Sequence, residues 1–142
     1  MTTKVQIIKK KVQNLPSLVI PRHELPYNLE THASNEVWVG VLMQNHVKRE
    51  EVFSYASRCF NDAELRYPSS HKEIFAVKNG IKRFKLFLNP IRFIVRTYLN
   101  HMAGMLRNKR LLEQENNRIL RWSLWLDGFN FEIEYKKGKY NW

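Results

Sequence analysis

Apolar residues recur at helical spacing in the middle of the chain. Five of them follow one another at intervals of three, four, three and four positions, namely Ile74, Val77, Ile81, Phe84 and Leu88. This spacing places them on one face of an α-helix. Ser70 and Glu73 have the spacing of a capping box, and Asn89-Pro90 is a typical helix end. The pattern therefore predicts an amphipathic helix over residues 70–88.

Five other segments favour β-strands, because they alternate between apolar and polar residues or are almost continuously apolar. They cover residues 27–31, 37–43, 51–57, 91–97 and 129–135. Further helices are predicted at residues 2–15, around 101–106 and at 116–126. The first three strands have short connections, whereas helices separate the last two. This order predicts an α/β fold in which a mixed sheet is covered by helices.

Positive charge is concentrated in one part of the chain. The 142 residues include 24 Lys and Arg against 13 Asp and Glu, which gives a formal net charge of +11. Residues 78–110 contain four Lys, five Arg and no acidic residue. A stretch of this kind favours an anionic partner such as nucleic acid. The candidates for phosphate contact are Lys78, Lys82, Arg83, Lys85, Arg92, Arg96, Arg107, Lys109 and Arg110.

Composition excludes several other classes of protein. Cys59 is the single cysteine, so neither an internal disulfide framework nor a Cys-rich zinc site is expected. No apolar run approaches the roughly 20 residues of a membrane span, and the N-terminus lacks the apolar core of a signal peptide. We therefore expect an intracellular protein, nuclear or cytoplasmic, with no membrane partner.

Seven short motifs then occur in a fixed order. They are Leu29-Glu-Thr-His-Ala-Ser34, Ser54-Tyr-Ala-Ser57, Asn61-Asp-Ala-Glu64, Tyr67-Pro-Ser-Ser-His-Lys-Glu73, Ile94-Val-Arg-Thr97, Arg121-Trp122 and Phe131-Glu-Ile-Glu-Tyr-Lys-Lys-Gly138. Together they resemble the ribonuclease H domain that follows reverse transcriptase in gypsy-type retrotransposons and plant pararetroviruses, the caulimovirus family. The similarity runs from about Lys9 to the C-terminus.

The resemblance implies a ribonuclease H-like fold with a five-stranded mixed sheet flanked by helices. It also implies a boundary, because residues 16–21 resemble the segment that joins the polymerase to the nuclease. Residues 1–22 are interpreted as an N-terminal helix and lead-in. Residues 23–142 are interpreted as the ribonuclease H-like domain, truncated before its last family acid.

The family hydrolyses the RNA strand of an RNA–DNA hybrid with two divalent metal ions, Mg²⁺ in the active enzymes, held by four acidic side chains. Several carboxylates are needed because two hard cations must be held close together. Here His32 and Tyr98 stand where the family has Asp, and Glu73 is the retained acid. The fourth acid normally follows the position of Asn141-Trp142. Val39 also departs from the family, which commonly has Gly there.

The three site residues each allow more than one interpretation. His32 is either a ligand for a softer ion such as Zn²⁺ or a replacement that abolishes function. Tyr98 is neutral at pH 7 and cannot replace a carboxylate on Mg²⁺, so we expect a packed aromatic ring. Glu73 is either a surviving metal acid or the capping-box acid of its helix. We expect no bound cofactor.

Three functions remain in competition. The leading hypothesis is a catalytically degenerate domain, captured from a virus or retroelement, that binds RNA–DNA hybrid or duplex RNA weakly and without sequence preference. The first alternative is a protein–protein interaction or inhibitory module on the same fold. The second is an active, metal-dependent hybrid ribonuclease.

Overall fold

The computed structural model describes residues 6, 21–22, 24–46, 49–89, 91–107 and 117–137. Apart from Gln6 and Pro21, the predicted helix at 2–15 and the lead-in at 16–21 lie outside these residues. The elements in chain order are β1 (Tyr27–Ala33), β2 (Val37–His46), β3 (Arg49–Cys59), a 3-10 turn (Glu64–Arg66), α1 (Ser69–Leu88), β4 (Phe93–Thr97), α2 (Met102–Arg107), α3 (Asn117–Leu126) and β5 (Phe131–Tyr135).

The strands form one five-stranded mixed sheet in the order β3-β2-β1-β4-β5. β1 pairs antiparallel with β2, and β2 pairs antiparallel with β3. β1 pairs parallel with β4, and β4 pairs parallel with β5. The predicted fold class and all five predicted strands are therefore confirmed, with ends that differ by a few residues.

The hairpin between β1 and β2 is closed by one serine. The Ser34 hydroxyl oxygen accepts hydrogen bonds from the backbone N–H groups of Glu36 and Val37, at 3.3 and 3.1 Å. The Ser34 N–H donates to the Val37 carbonyl at 2.8 Å. This turn fixes the end of β1 and sets the register in which His32 lies opposite Val39.

The main core lies between α1 and one face of the sheet. All five residues of the predicted apolar face are at most 3% exposed, namely Ile74, Val77, Ile81, Phe84 and Leu88. They pack with Leu29, Phe93 and Val95 of the sheet and with Ile119 and Trp122 of α3. The prediction that this apolar face covers the sheet is confirmed. Within the described residues, no helix is long and apolar enough to cross a membrane.

The start of α1 differs from the prediction. Pro68 occupies the N-cap position, and no side chain caps the helix. The capping box expected from Ser70 and Glu73 is therefore wrong. The first turn is closed by the Lys72 N–H, which donates to the Pro68 carbonyl at 3.0 Å. The carboxylate of Glu73 points to a different partner.

Two glycines face each other where α1 crosses the sheet. A Cβ added at Gly40 would lie 3.6 Å from the Cα of Gly80. A Cβ added at Gly80 would lie only 3.3 Å from methyl carbons of both Leu29 and Thr31. A side chain at Gly80 would therefore press the helix away from β1.

We expect Gly80→Val to lower the free energy of unfolding by about 1–3 kcal/mol, because it overpacks a close helix–sheet contact. Urea unfolding followed by circular dichroism measures this. The matched control is Gly104→Val in α2, where an added Cβ meets nothing within 4 Å. That control should change stability by no more than about 0.5 kcal/mol. Equal effects of the two substitutions would show that the close approach is unimportant.

Candidate functional site

The fold brings three separated residues together at one edge of the sheet. His32 lies near the end of β1, Tyr98 directly follows β4, and Glu73 lies in the second turn of α1. β1 and β4 are parallel neighbours, so their carboxyl ends meet at the same edge, where α/β folds commonly place their sites.

His32 and Glu73 form a close pair. The His32 Nδ1 lies 3.2 Å from the Glu73 Oε1, and both side chains are largely buried. The Tyr98 ring packs edge-on against the imidazole, with centroids 5.2 Å apart and an interplanar angle of 84°. Tyr98 is therefore a packed aromatic residue, and Glu73 contacts an imidazole instead of capping its helix.

This set of side chains does not fit two Mg²⁺ ions. Mg²⁺ prefers oxygen ligands in octahedral geometry, whereas the three predicted positions supply one carboxylate, one imidazole and one phenol. Among the described residues, no group of three or more His, Cys, Asp or Glu side chains is placed to hold a metal ion.

His71 does not join the pair, although it is close to Glu73 in sequence. Residues two apart point to different sides of a helix. The His71 Nδ1 lies 3.3 Å from an Arg118 guanidinium nitrogen of α3. Burial lowers the pKa of His71, and the Arg118 charge lowers it further. The soft-ion interpretation of His32 therefore gains no ligand from His71.

A buried carboxylate lies beside the pair. Glu30 is fully buried on β1, and its Oε1 lies 3.2 Å from the Lys136 ammonium beyond β5. The Tyr98 hydroxyl donates to the other Glu30 oxygen at 3.4 Å. Burial raises the pKa of Glu30, while Lys136 and then Arg96 act to lower it. Glu30 was not among the predicted site residues, although it lies inside the first motif.

Two predicted phosphate-contact residues have acidic partners within the fold. Arg96 is largely buried and forms ion pairs with Glu50 of β3 and with Glu134 of β5, the latter at 3.7 Å. Arg92 forms an exposed ion pair with Glu132. A phosphate would therefore have to compete with these acidic side chains for Arg92 and Arg96.

The remaining candidates are centred on α1. Lys82, Arg83 and Lys85 are exposed, as is Arg107 of α2. Lys109 and Arg110 lie outside the described residues.

Lys78, another of the predicted phosphate-contact residues, packs against α3. Its ammonium lies about 6 Å from the ring centres of Trp122 and Trp125. Burial lowers the pKa of Lys78, and Lys82 and Arg121 lower it further. Its side chain therefore supports the contact between α1 and α3.

The sequence comparisons decide the family. Residues 22–129 match the RNase H-like domain found in reverse transcriptase. The chain belongs to this family. It is 34% identical to the enzymatic polyprotein of Carnation etched ring virus over 134 residues, which are 94% of this chain and 20% of that polyprotein. It is 37% identical to the genome polyprotein of Petunia vein clearing virus over 138 residues, which are 96% of this chain and 6% of that polyprotein.

These comparisons also define the extent of the similarity. The RNase H-like chain described here spans about a fifth or less of the curated polyproteins it matches. Among solved structures, it resembles the foamy viral protease-reverse transcriptase in complex with RNA/DNA hybrid, with a TM-score of 0.67 at 18% identity. That likeness covers 96% of this chain and 19% of the other, and it confirms the ribonuclease H-like fold.

The raised pKa of Glu30 predicts a pH dependence of stability. Because the pKa of Glu30 is higher in the folded state, the protonated carboxyl stabilises that state. This contribution is complete below pH 4.5, the pKa of the group in the unfolded chain. This contribution is lost as the pH rises through the folded value. We therefore expect the free energy of unfolding of Glu30→Gln to increase relative to the wild type as the pH is raised above 4.5. Urea unfolding of both proteins across this range measures the difference.

The partner of Glu30 supplies the control for this experiment. Lys136 lowers the pKa of Glu30, so Lys136→Met should raise that pKa further and extend the decline of stability to higher pH. A constant difference between the wild type and Glu30→Gln at every pH would contradict the assignment.

Proposed function

We propose that this chain is a catalytically degenerate RNase H-like domain of a viral or retroelement reverse transcriptase, which has lost cleavage and retains weak binding of nucleic acid. The observation that carries this proposal is the His32–Glu73 pair, with 3.2 Å between its Nδ1 and Oε1 atoms. In the family, the same edge of the sheet holds carboxylates on two Mg²⁺ ions.

The physical argument concerns charge. Two closely spaced divalent cations require several carboxylates to offset their mutual repulsion. At this edge an imidazole contacts the retained carboxylate, and a phenol replaces the acid after β4. The proposal therefore includes no bound Mg²⁺ and no step that passes through a metal.

Retained binding rests on charge alone. Phosphate contacts need cations in a groove and no metal, so they can persist after catalysis is lost. The exposed row Lys82, Arg83 and Lys85 on α1 supplies such cations. The foamy viral enzyme of the same fold has been solved with an RNA/DNA hybrid, and this supports hybrid as the first ligand to test.

We predict that the unmodified chain shows no Mg²⁺-dependent cleavage of an RNA–DNA hybrid above background. Loss of one metal carboxylate removes several kcal/mol of transition-state stabilisation. The double reversion His32→Asp with Tyr98→Asp, in a chain extended to supply a fourth acid, should recover cleavage. A labelled hybrid incubated with Mg²⁺ or Mn²⁺ and resolved on a denaturing gel gives the readout.

The matched control replaces the same two residues with Asn in the same extended chain. Asn has nearly the shape of Asp but no charge, so we expect this control variant to show no cleavage. Robust cleavage by the unmodified protein would favour the active-enzyme alternative instead.

We also predict micromolar binding of hybrid at physiological salt, without sequence preference. If about four to six phosphates are neutralised, the logarithm of the binding constant should fall against the logarithm of salt with a slope of about −4 to −5. Replacing Lys82, Arg83 and Lys85 with Gln should remove most of the affinity in a fluorescence anisotropy titration. Lys78 is left intact because it packs on two Trp rings.

The control variant replaces Arg49 and Lys137 with Gln, because both residues are exposed and lie outside α1. It should retain most of the affinity. If hybrid, duplex RNA and duplex DNA all fail to bind at low salt, the protein-interaction alternative takes the lead.

A further inference from the structure

A second basic surface lies on the side of α1 that faces the edge strand β3. A groove of about 850 Å³ runs between the end of β3 and the middle of α1. Arg58, Lys78, Lys82 and Arg83 contribute cations to it, and Glu64 is the one acidic residue among those that line it. We call this surface the β3–α1 groove. It was not found from sequence, because Arg58 is remote from the basic stretch of residues 78–110.

Strand and helix geometry explain why these residues converge. Arg58 pairs with Trp38 and Ala56 pairs with Gly40 in the ladder between β2 and β3. Because side chains alternate along a strand, Arg58 and Ala56, which are two residues apart, point to the same face of the sheet. This is the face on which α1 packs. Lys78 and Lys82 are four residues apart on α1 and therefore project from one side of the helix.

The positive charge of this groove is largely uncompensated. Within the described part of the chain, Arg58, Lys82 and Arg83 form no ion pair with an acidic side chain, in contrast to Arg92 and Arg96. The single carboxylate is held locally, because Glu64 Oε1 accepts a hydrogen bond from the Asn61 N–H at 2.9 Å. Clustered cations of this kind attract a polyanion.

The groove also has apolar lining residues, namely Trp38, Ala56 and the half-buried Phe75. Cations beside aromatic side chains match the chemistry of a nucleotide chain, which carries anionic phosphates and flat bases. The volume of about 850 Å³ suits a few nucleotides of one strand.

We propose that the β3–α1 groove binds a short segment of single-stranded nucleic acid. This inference rests on the proposed nucleic-acid binding, because Lys82 and Arg83 belong to both surfaces. It goes further by adding Arg58 to the contacts and by assigning single-stranded nucleic acid to a defined groove. The segment would lie beside the end of β3 and the middle of α1.

Cys59 provides a direct test, because it lines the groove, is exposed and is the only cysteine of the chain. The intact protein is alkylated with iodoacetamide at low salt, and the modified fraction is followed by mass spectrometry. An oligothymidylate of about eight nucleotides, within the usual range of single-strand sites, should slow alkylation several-fold. High salt should restore the original rate.

Two variants locate the effect. Arg58→Gln should abolish most of the protection, while leaving hybrid affinity through the exposed face of α1 within about twofold. Arg49→Gln is the matched control, because it lies nine residues earlier on the same strand, about 30 Å away. It should leave the protection unchanged.

Three outcomes would overturn the inference. If hybrid binds but the oligonucleotide leaves the alkylation rate unchanged, the groove is no single-strand site, and the proposed function still stands. If no nucleic acid binds at all, both proposals fail. If poly-glutamate protects Cys59 as well as the oligonucleotide does, the groove recognises acidic polypeptide instead.

Discussion

The separation between α1 and the sheet is set where Gly80 faces Gly40. The absence of a side chain at Gly80 allows the helix to contact Leu29 and Thr31 of the central strand directly. Glu73 lies seven residues before Gly80, which is two helical turns, so both are on the same face. The close approach at the glycine therefore also brings the Glu73 carboxylate to the end of β1, where it contacts His32. The position of α1 fixes the depth of the β3–α1 groove in the same way.

The change of side chains at the sheet edge has a simple electrostatic consequence. Several carboxylates in one place repel one another unless cations lie between them. The His32 imidazole lies 3.2 Å from a Glu73 carboxylate oxygen, and the Tyr98 ring packs against the imidazole at a steep angle. The charge of the neighbouring Glu30 is compensated by Lys136. These contacts reduce the mutual repulsion among the carboxylates at this edge.

Much of the fold could be predicted from sequence, because the apolar spacing of α1 and the alternation of the strands are local properties. The convergence of His32, Glu73 and Tyr98 followed from the family motifs. The errors arose where partners are distant in sequence. The Glu73 carboxylate contacts β1 instead of its own helix end, and Lys78 packs on two Trp rings of α3. Arg96 is paired with acids from β3 and β5, and periodicity does not reveal which strands become neighbours.

The parallel pairing of β1 with β4 has a consequence for how the chain reaches its folded state. Tyr27 lies opposite Phe93, so the centre of the sheet joins segments separated by the whole β2–β3 hairpin and α1. Closing such a loop costs chain entropy before the contact contributes any stability, and topologies of this kind fold slowly. The hairpin and α1 can form early from local contacts, whereas β1 gains its second neighbour only after β4 has been synthesised. A ribosome-bound chain that ends before β4 would therefore expose one edge of β1, a surface on which strands of other molecules can pair.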